Sequence, residues 1–473
     1  MNCVCDFYNS SAISNTKEAI IFFKNLNSLE NTKSSISFQS LYLNSLQAQS
    51  FLKNQGLKKG DTLLLMELPA PDFYAFILAS LAMGIKILIL EPWLPLNKIE
   101  AIIKKLKPRA FMSNKIGKVW GMRLRVIRKI PLWFHSSILH SYQKIPSPIL
   151  EDMSPIDDAI ITFTSGTSGT PKGVHRKHQY LLNQLEVLGE HLHYKEFTGA
   201  DLTIFTNVVL LNLANNKTSI LISPRWPKKP IQNLSSLPKH LLPQTSAMGP
   251  RFLNHLMKLT HLPSLQSLHI GGALTDNSNY EKALKRWPNA KLTHVYGSSE
   301  AEPVSLSNLE EAVQKSKDQG YFQTLFLGQT VSQISLQIKD SIAWVSGIHV
   351  SPMYADTNSF DNKKNKFKDE QNIIWHNMGD RVSLQESGLW YKGRDFQTLE
   401  DFELEQKIYS SIGHSKAFIH KRENEKILLG MNINKSQVLK EFPQLSKVVT
   451  GKIYRDPRHR ARINRTKSIK GKV

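Results

Sequence analysis

The chain has 473 residues, 41% hydrophobic and 21% charged, with a formal net charge of +22; that balance excludes fibrous and wholly disordered classes, and the length exceeds what one hydrophobic core serves. Only Cys3 and Cys5 are present, which excludes a disulfide framework, predicts a reducing compartment and leaves no second pair for a metal clamp, so the terminus is expected to fray. The basic excess runs through Lys104-Lys105, residues 123–129, Lys228-Lys229 and the C-terminal tail without a zinc-finger, RRM or KH pattern; it reads as a field that attracts anionic substrates, with no dedicated nucleic-acid site expected.

Residues 1–17 lack a basic stretch followed by an apolar block, so no secretory signal is expected. The spacing of Phe38, Leu41, Leu46 and Leu52 predicts a helix that stops at Gly56. A strand over 62–67, a helix over 72–83, a strand over 86–90, a helix over 96–106 and a strand near 110–112 follow. The most apolar window, 73–90, is broken by Gly84 and Lys86 and so divides into a core helix and a buried strand; no transmembrane segment is expected, and the chain reads as cytoplasmic. Residues 117–148 are basic and aromatic with poor periodicity, either an irregular connection or a surface patch.

An apolar run then ends in Thr164-Ser165-Gly166-Thr167-Ser168-Gly169-Thr170-Pro171-Lys172-Gly173, and a helix is predicted from about 177 to 188. Glycines let successive N–H groups face one anion, hydroxyls add donors and Lys172 adds a full positive charge, so the stretch reads as a phosphate cradle. It is not a P-loop, because Pro171 precedes the lysine and Gly173 follows it. Further alternations predict strands at 219–223, 246–248, 267–270 and 292–296, with helices from 251 and near 280–287. The last three of these strands are followed by Gly249, Gly271-Gly272 and Gly297, which should line one cleft with the cradle, since ligands in open α/β sheets bind beyond the carboxyl ends of strands. Short alternating runs at 324–327, 333–338 and 343–345 predict a small β unit. Residues 356–370 read as an exposed loop. After Arg394 a strand pair near 417–420 and 426–431 and a helix near 435–442 precede a basic tail. The fold class is α/β: a large N-terminal domain of layered, mostly parallel sheets with helices and a small β subdomain, residues 1–393, then a small, shortened α+β domain, residues 394–473.

The order Thr-Ser-Gly-Thr-Ser-Gly-Thr-Pro-Lys-Gly-Val from Thr164, with His178 six residues after the lysine, closely resembles the signature of the AMP-forming acyl-activating enzymes: acyl-CoA ligases, luciferase-like enzymes and peptide-synthetase adenylation domains. Later segments resemble further stations of that family in its order. Gly271-Gly272-Ala273 resembles the adenine-contacting turn. Tyr296-Gly297-Ser298-Ser299-Glu300 resembles the station where a tyrosine stacks on the base, a hydroxyl reaches phosphate and a carboxylate holds Mg2+. Asn377-Met378-Gly379-Asp380 resembles the ribose-binding aspartate, with Arg394 as the second ribose or phosphate contact. Two endings compete for the family's catalytic lysine. Residues 450–455 put it at Lys452, whereas residues 456–465 are similar to the olefin β-lactone synthetase ending and put Arg462 there. Phe396 occupies the family's hinge position, usually Asp or Lys, and Asp395 lies one place early.

The resemblance implies ATP- and Mg2+-dependent activation of a hydrophobic carboxylic acid to an acyl adenylate, with pyrophosphate released. The acceptor is then coenzyme A, a carrier-protein arm, or the substrate's own β-hydroxyl closing to a β-lactone. Lys172 and the cradle residues Thr164 to Thr170 would orient phosphates, and Lys452 would meet the α-phosphate. A degenerate relative that binds nucleotide or acyl chain without turnover, and a polyanion-binding protein motivated by charge alone, are the competing classes.

Overall fold

The computed structural model describes residues 2–9, 13–23, 33–67, 69–90, 94–164, 172–192, 196–222, 234, 237–353, 365–422, 425–455 and 463–469. Among them the strands fall into sheets of 14, 6 and 3 strands. The six-stranded sheet runs Leu132–Phe134, Ala110–Ser113, Thr62–Met66, Lys86–Ile89, Asp158–Thr164, Lys172–Lys177. It is parallel up to the last pair, which is antiparallel. Successive residues face opposite sides of a strand, so Leu63 and Leu65 enter the main core with helices Phe38–Asn54 and Pro71–Ala82, while Leu64 enters a second cluster with Ile99, Ile103 and Ile127.

In the larger sheet, Lys291–Ser298, Ser267–Gly271, Pro243–Met248, Ala200–Thr203, Ser219–Leu221 and Glu18–Phe23 are parallel neighbours in that order. Antiparallel pairing extends it from Lys291–Ser298 through Ala301–Asn308, Phe326–Thr330, Gly388–Arg394 and Ile374–Gln385. The expected small β unit is therefore continuous with the main sheet. The remainder forms the three-stranded sheet Ala417–Arg422, Glu425–Gly430, Lys447–Thr450 with helices Leu399–Ile412 and Lys435–Glu441. Among the described residues no helix is long and apolar enough to cross a membrane.

Several expectations need correction. The N-terminus is docked rather than frayed: the Asn2 side chain donates to Leu81 O at 2.8 Å and to Ala82 O at 3.1 Å, and Cys3, Phe7 and Tyr8 are buried, because their apolar side chains join the core cluster of helices Phe38–Asn54 and Pro71–Ala82. Burial pushes the Cys3 thiol up to about 12, so it packs as a hydrophobe. Lys172–Lys177 is a strand that charge conceals in the sequence: Asp158 holds His175 at 2.7 Å and Lys177 at 2.6 Å across the hairpin. Within 356–370, read as an exposed loop, Lys366–Lys368 is a strand paired with Ile374–Gln385 and Lys366 is buried. Residues 117–148 contain helical turns at Lys115–Gly121 and Arg125–Arg128 and a strand at Leu132–Phe134.

Candidate functional site

The strands on either side of the cradle, Asp158–Thr164 and Lys172–Lys177, pair antiparallel. Thr164 and Lys172 are register partners at its mouth; Ser165, Gly166, Thr167, Ser168, Gly169 and Thr170 lie outside the described residues, as does Arg462. Helix His178–His191 begins after the second strand. His178 is buried against the N-terminal segment: its Nδ1 accepts the Cys3 N–H at 3.2 Å, and burial pulls its pKa down to about 4, so the ring is neutral.

A second hairpin meets this one. Strands Lys291–Ser298 and Ala301–Asn308 close with Ser298 opposite Ala301, which puts Ser299 and Glu300 at the two-residue tip. A side chain at Gly297 would lie 2.8 Å from Ala301 O, so only glycine lets the strands close this tightly. Gly271 similarly has Val295 O where a Cβ would stand, 2.8 Å away, and Gly272 turns with φ +89°; with Ala273 they form the small-residue edge beside Tyr296.

Arg176 joins the hairpins. Its guanidinium donates to Thr162 Oγ1 on the cradle strand and, at 3.0 Å, to Ser299 O at the second tip. Ser351 makes the same connection from another side: its N–H donates to Glu300 O at 2.7 Å and its hydroxyl to His175 O at 3.0 Å, while Lys366 Nζ donates to Ser351 O. The Tyr180 phenol, pushed up to about 12 chiefly by burial, also senses Arg176, which lowers it, and Glu302 and Glu300, which raise it. Glu300 is 8% exposed, and among the described residues no cation forms an ion pair with its carboxylate.

The third group is built across the antiparallel extension. Asp380 and Arg394 are register partners, and Arg394 Nη1 lies 2.6 Å from Asp380 Oδ1. Tyr296 Oη donates to Asp380 Oδ2 at 2.9 Å. Burial, then the neighbouring carboxylate, pushes the Tyr296 phenol well above its ordinary range, which keeps it a donor. Gly379, at φ +67°, supplies the irregularity before Asp380, and Asn377 Oδ1 accepts the Gly379 N–H at 2.7 Å. Asp380 thus lies within a long strand, Ile374–Gln385.

Lys172, Tyr296, Gly297, Ser299, Glu300, Asp380 and Arg394 therefore belong to one connected set of strand ends. Lys452 lies on the C-terminal unit, exposed, its ammonium 5.3 Å from the centre of the Tyr454 ring. Beside Arg394 the connection is clamped: Arg381 donates to Gln397 O at 2.8 Å and Asp395 O at 3.3 Å, and Gln397 donates to Glu405 at 2.8 Å. Phe396 is 59% exposed, with the Arg465 guanidinium 5.7 Å from its ring. Arg176, Ser351 and Lys366 are the residues that sequence reasoning missed; His175-Arg176-Lys177 carries no local signal beyond a solvated basic run.

The model of the family described as AMP-binding enzyme matches residues 9–341. Among curated proteins the chain is 26% identical over 192 residues to an olefin beta-lactone synthetase of Stenotrophomonas maltophilia, a match covering 38% of this chain and 34% of that protein. It is 22% identical over 322 residues to a mitochondrial medium-chain acyl-CoA ligase of Rattus norvegicus, covering 57% of this chain and 52% of the ligase. The matches thus span about a third to a half of these relatives' own lengths. The fold is similar to that of ATP-bound MatB from Rhodopseudomonas palustris, with a TM-score of 0.78, 15% identity and 98% of each chain covered.

Proposed function

The chain belongs to the AMP-binding enzyme family, and from that premise we propose that it uses ATP to activate a hydrophobic carboxylic acid, fatty or β-hydroxy, as an acyl adenylate with release of pyrophosphate. The observation that carries the reading is the joining of three separate sequence stations: Arg176 links the cradle hairpin to the Ser299-Glu300 tip, and Tyr296 on that same hairpin bonds Asp380, which pairs with Arg394.

Each residue then has a task that its chemistry suits. Asp380 accepts from the vicinal hydroxyls of a ribose while Arg394 holds the carboxylate in place. Gly271, Gly272 and Ala273 leave room for a flat base beside Tyr296. The cradle amides and hydroxyls from Thr164 to Thr170, with Lys172, orient the β- and γ-phosphates. A buried carboxylate with no cation partner among the described residues fits Mg2+, and Glu300 would hold it; the ion, when bound, offsets phosphate charge. Repulsion between a carboxylate and the α-phosphate is the obstacle to attack, so Lys452, brought over by a C-terminal unit beginning at residue 394, supplies the compensating charge. No protein nucleophile is needed.

The acyl group leaves on a thiol, of coenzyme A or a carrier protein, or closes on its own β-hydroxyl; likeness to both a β-lactone synthetase and an acyl-CoA ligase supports either exit. The test is carboxylate-dependent exchange of labelled pyrophosphate into ATP over a panel of acids, with mass spectrometry of the product. Lys452→Ala should reduce exchange by about 10²–10³-fold, the usual worth of one transition-state donor. No exchange with any acid would refute adenylation, and loss of exchange on changing Arg462 but not Lys452 would move the catalytic charge to Arg462.

A further inference from the structure

We infer that the outer face of the six-stranded sheet is a docking surface for an anionic lipid bilayer. Helices Leu96–Leu106, Lys115–Gly121 and Arg125–Arg128 lie on that side. Ile99, Ile103, Leu124 and Ile127 turn inward and are buried in one cluster with Leu64, Leu88, Phe111 and Ile161 of the sheet. With those positions spent on the core, and Ile102, Leu106, Trp120 and Val126 half-buried against it, most of the polar positions are left facing water.

They carry an unusual combination. Residues 96–130 contain eleven Lys and Arg against one acidic residue, Glu100, so this short stretch supplies nearly half of the protein's net +22. Lys104, Lys105, Lys118, Arg123, Arg125 and Arg128 are exposed. The charge that looks dispersed along the sequence is here gathered by the fold on one side of one sheet. Among these cations stand large apolar side chains that the core does not take: Leu96 is 51% exposed, Ile116 60%, Val119 60% and Met122 54%. Ile116 and Val119, three residues apart on one helix, share a face.

Cations alone would suit any polyanion. The apolar members decide between partners, because a nucleic acid gains nothing from exposed Ile, Val and Met, whereas a bilayer takes apolar side chains into its headgroup boundary while Lys and Arg hold anionic headgroups. The aromatic rings that could stack on bases are turned inward: Trp133 packs edge-on against Phe111, with centroids 4.9 Å apart, and its indole N–H donates to Ile130 O at 3.1 Å. The inference is independent of the adenylation reading, although a hydrophobic acid substrate is what such a surface would collect.

The full chain should sediment with mixed phosphatidylcholine–phosphatidylglycerol vesicles and not with phosphatidylcholine alone, and binding should weaken as salt is raised. The quadruple change Lys104→Gln/Lys105→Gln/Arg125→Gln/Arg128→Gln should abolish it. Ile116→Asn/Val119→Asn should weaken it about tenfold at fixed salt, with the far-ultraviolet circular dichroism of both variants unchanged. All six positions are at the surface, and replacement of the cations by neutral Gln removes charge without creating an acidic patch. Equal binding to neutral vesicles, no binding to anionic ones, or Ile116→Asn/Val119→Asn binding as tightly as the parent would overturn the inference. So would preferential binding of a single-stranded RNA that is indifferent to Ile116 and Val119.

Discussion

Asp380→Asn keeps the shape of the side chain and removes its charge. Arg394, whose side chain is 19% exposed, is then left 2.6 Å from a neutral amide, and Tyr296 loses a charged acceptor. Removing one partner of a buried pair costs about 3–5 kcal/mol, because the other charge stays out of water. The residual exposure of Arg394 puts the expected loss near the lower end, about 3 kcal/mol. Arg394→Met deletes the orphaned charge, so the double variant Asp380→Asn/Arg394→Met should be more stable than the two single losses predict, by at least ~1.5 kcal/mol. Tyr296→Phe, which removes one hydrogen bond, should cost only about 1 kcal/mol. Urea unfolding of the five proteins (wild type, Asp380→Asn, Arg394→Met, the double variant and Tyr296→Phe) without nucleotide gives these differences directly. A wild-type midpoint for Asp380→Asn, or losses that add within ~0.5 kcal/mol, would refute the idea that strand register buries this pair as a unit.

Arg176→Ala should detach the cradle hairpin from the Ser299-Glu300 tip and raise the KM for MgATP about tenfold, the worth of one charge-assisted hydrogen bond. Arg176→Lys should restore folding stability but not KM, since an ammonium cannot span both Thr162 and Ser299 as a guanidinium does; an unchanged KM in Arg176→Ala would remove the residue from the site. Burial pulls His294 down to about 4. The unfolded chain then takes a proton near pH 6.5 that the folded chain refuses, so the His294 contribution is intact above pH 6.5 and lost progressively down to about 4, on the order of 3 kcal/mol in all. His294→Gln should flatten the fall in denaturant midpoint over that window, and parallel curves for the two proteins would exclude the buried neutral ring.

Much of the order of elements is legible from periodicity. The helix at 38–52 and the helix at Leu96–Leu106 are read correctly because their apolar positions recur at helical spacing and the chain breaks at Gly56 and after Leu106. Other elements escape because their patterns are set by partners. Lys172–Lys177 is almost wholly polar and is a strand only because Asp158, Thr162 and Ser351 take up its charges and carbonyls. Glu18–Phe23 lies between a nearby antiparallel neighbour, Lys33–Ser37, and a parallel one, Ser219–Leu221, some two hundred residues later, and only the second pairing joins it to the large sheet.

The site divides in the same way. Local chemistry is written in consecutive residues: glycines where backbones must approach, hydroxyls and a lysine where an anion would lie, and a tyrosine and acids that the chain spaces in a recognisable order. Which of these meet is a matter of long-range strand register. Asp380 faces Arg394 because two antiparallel strands pair there, and Arg176 reaches Ser299 across 123 residues of sequence. The scattered cations of residues 96–130 become a surface only when Ile99, Ile103 and Ile127 turn inward onto the sheet. The sequence alone determined the chemical groups available to this protein, since each group belongs to its own residue. Only the tertiary structure decided their neighbours, because distance along a chain does not fix distance in space.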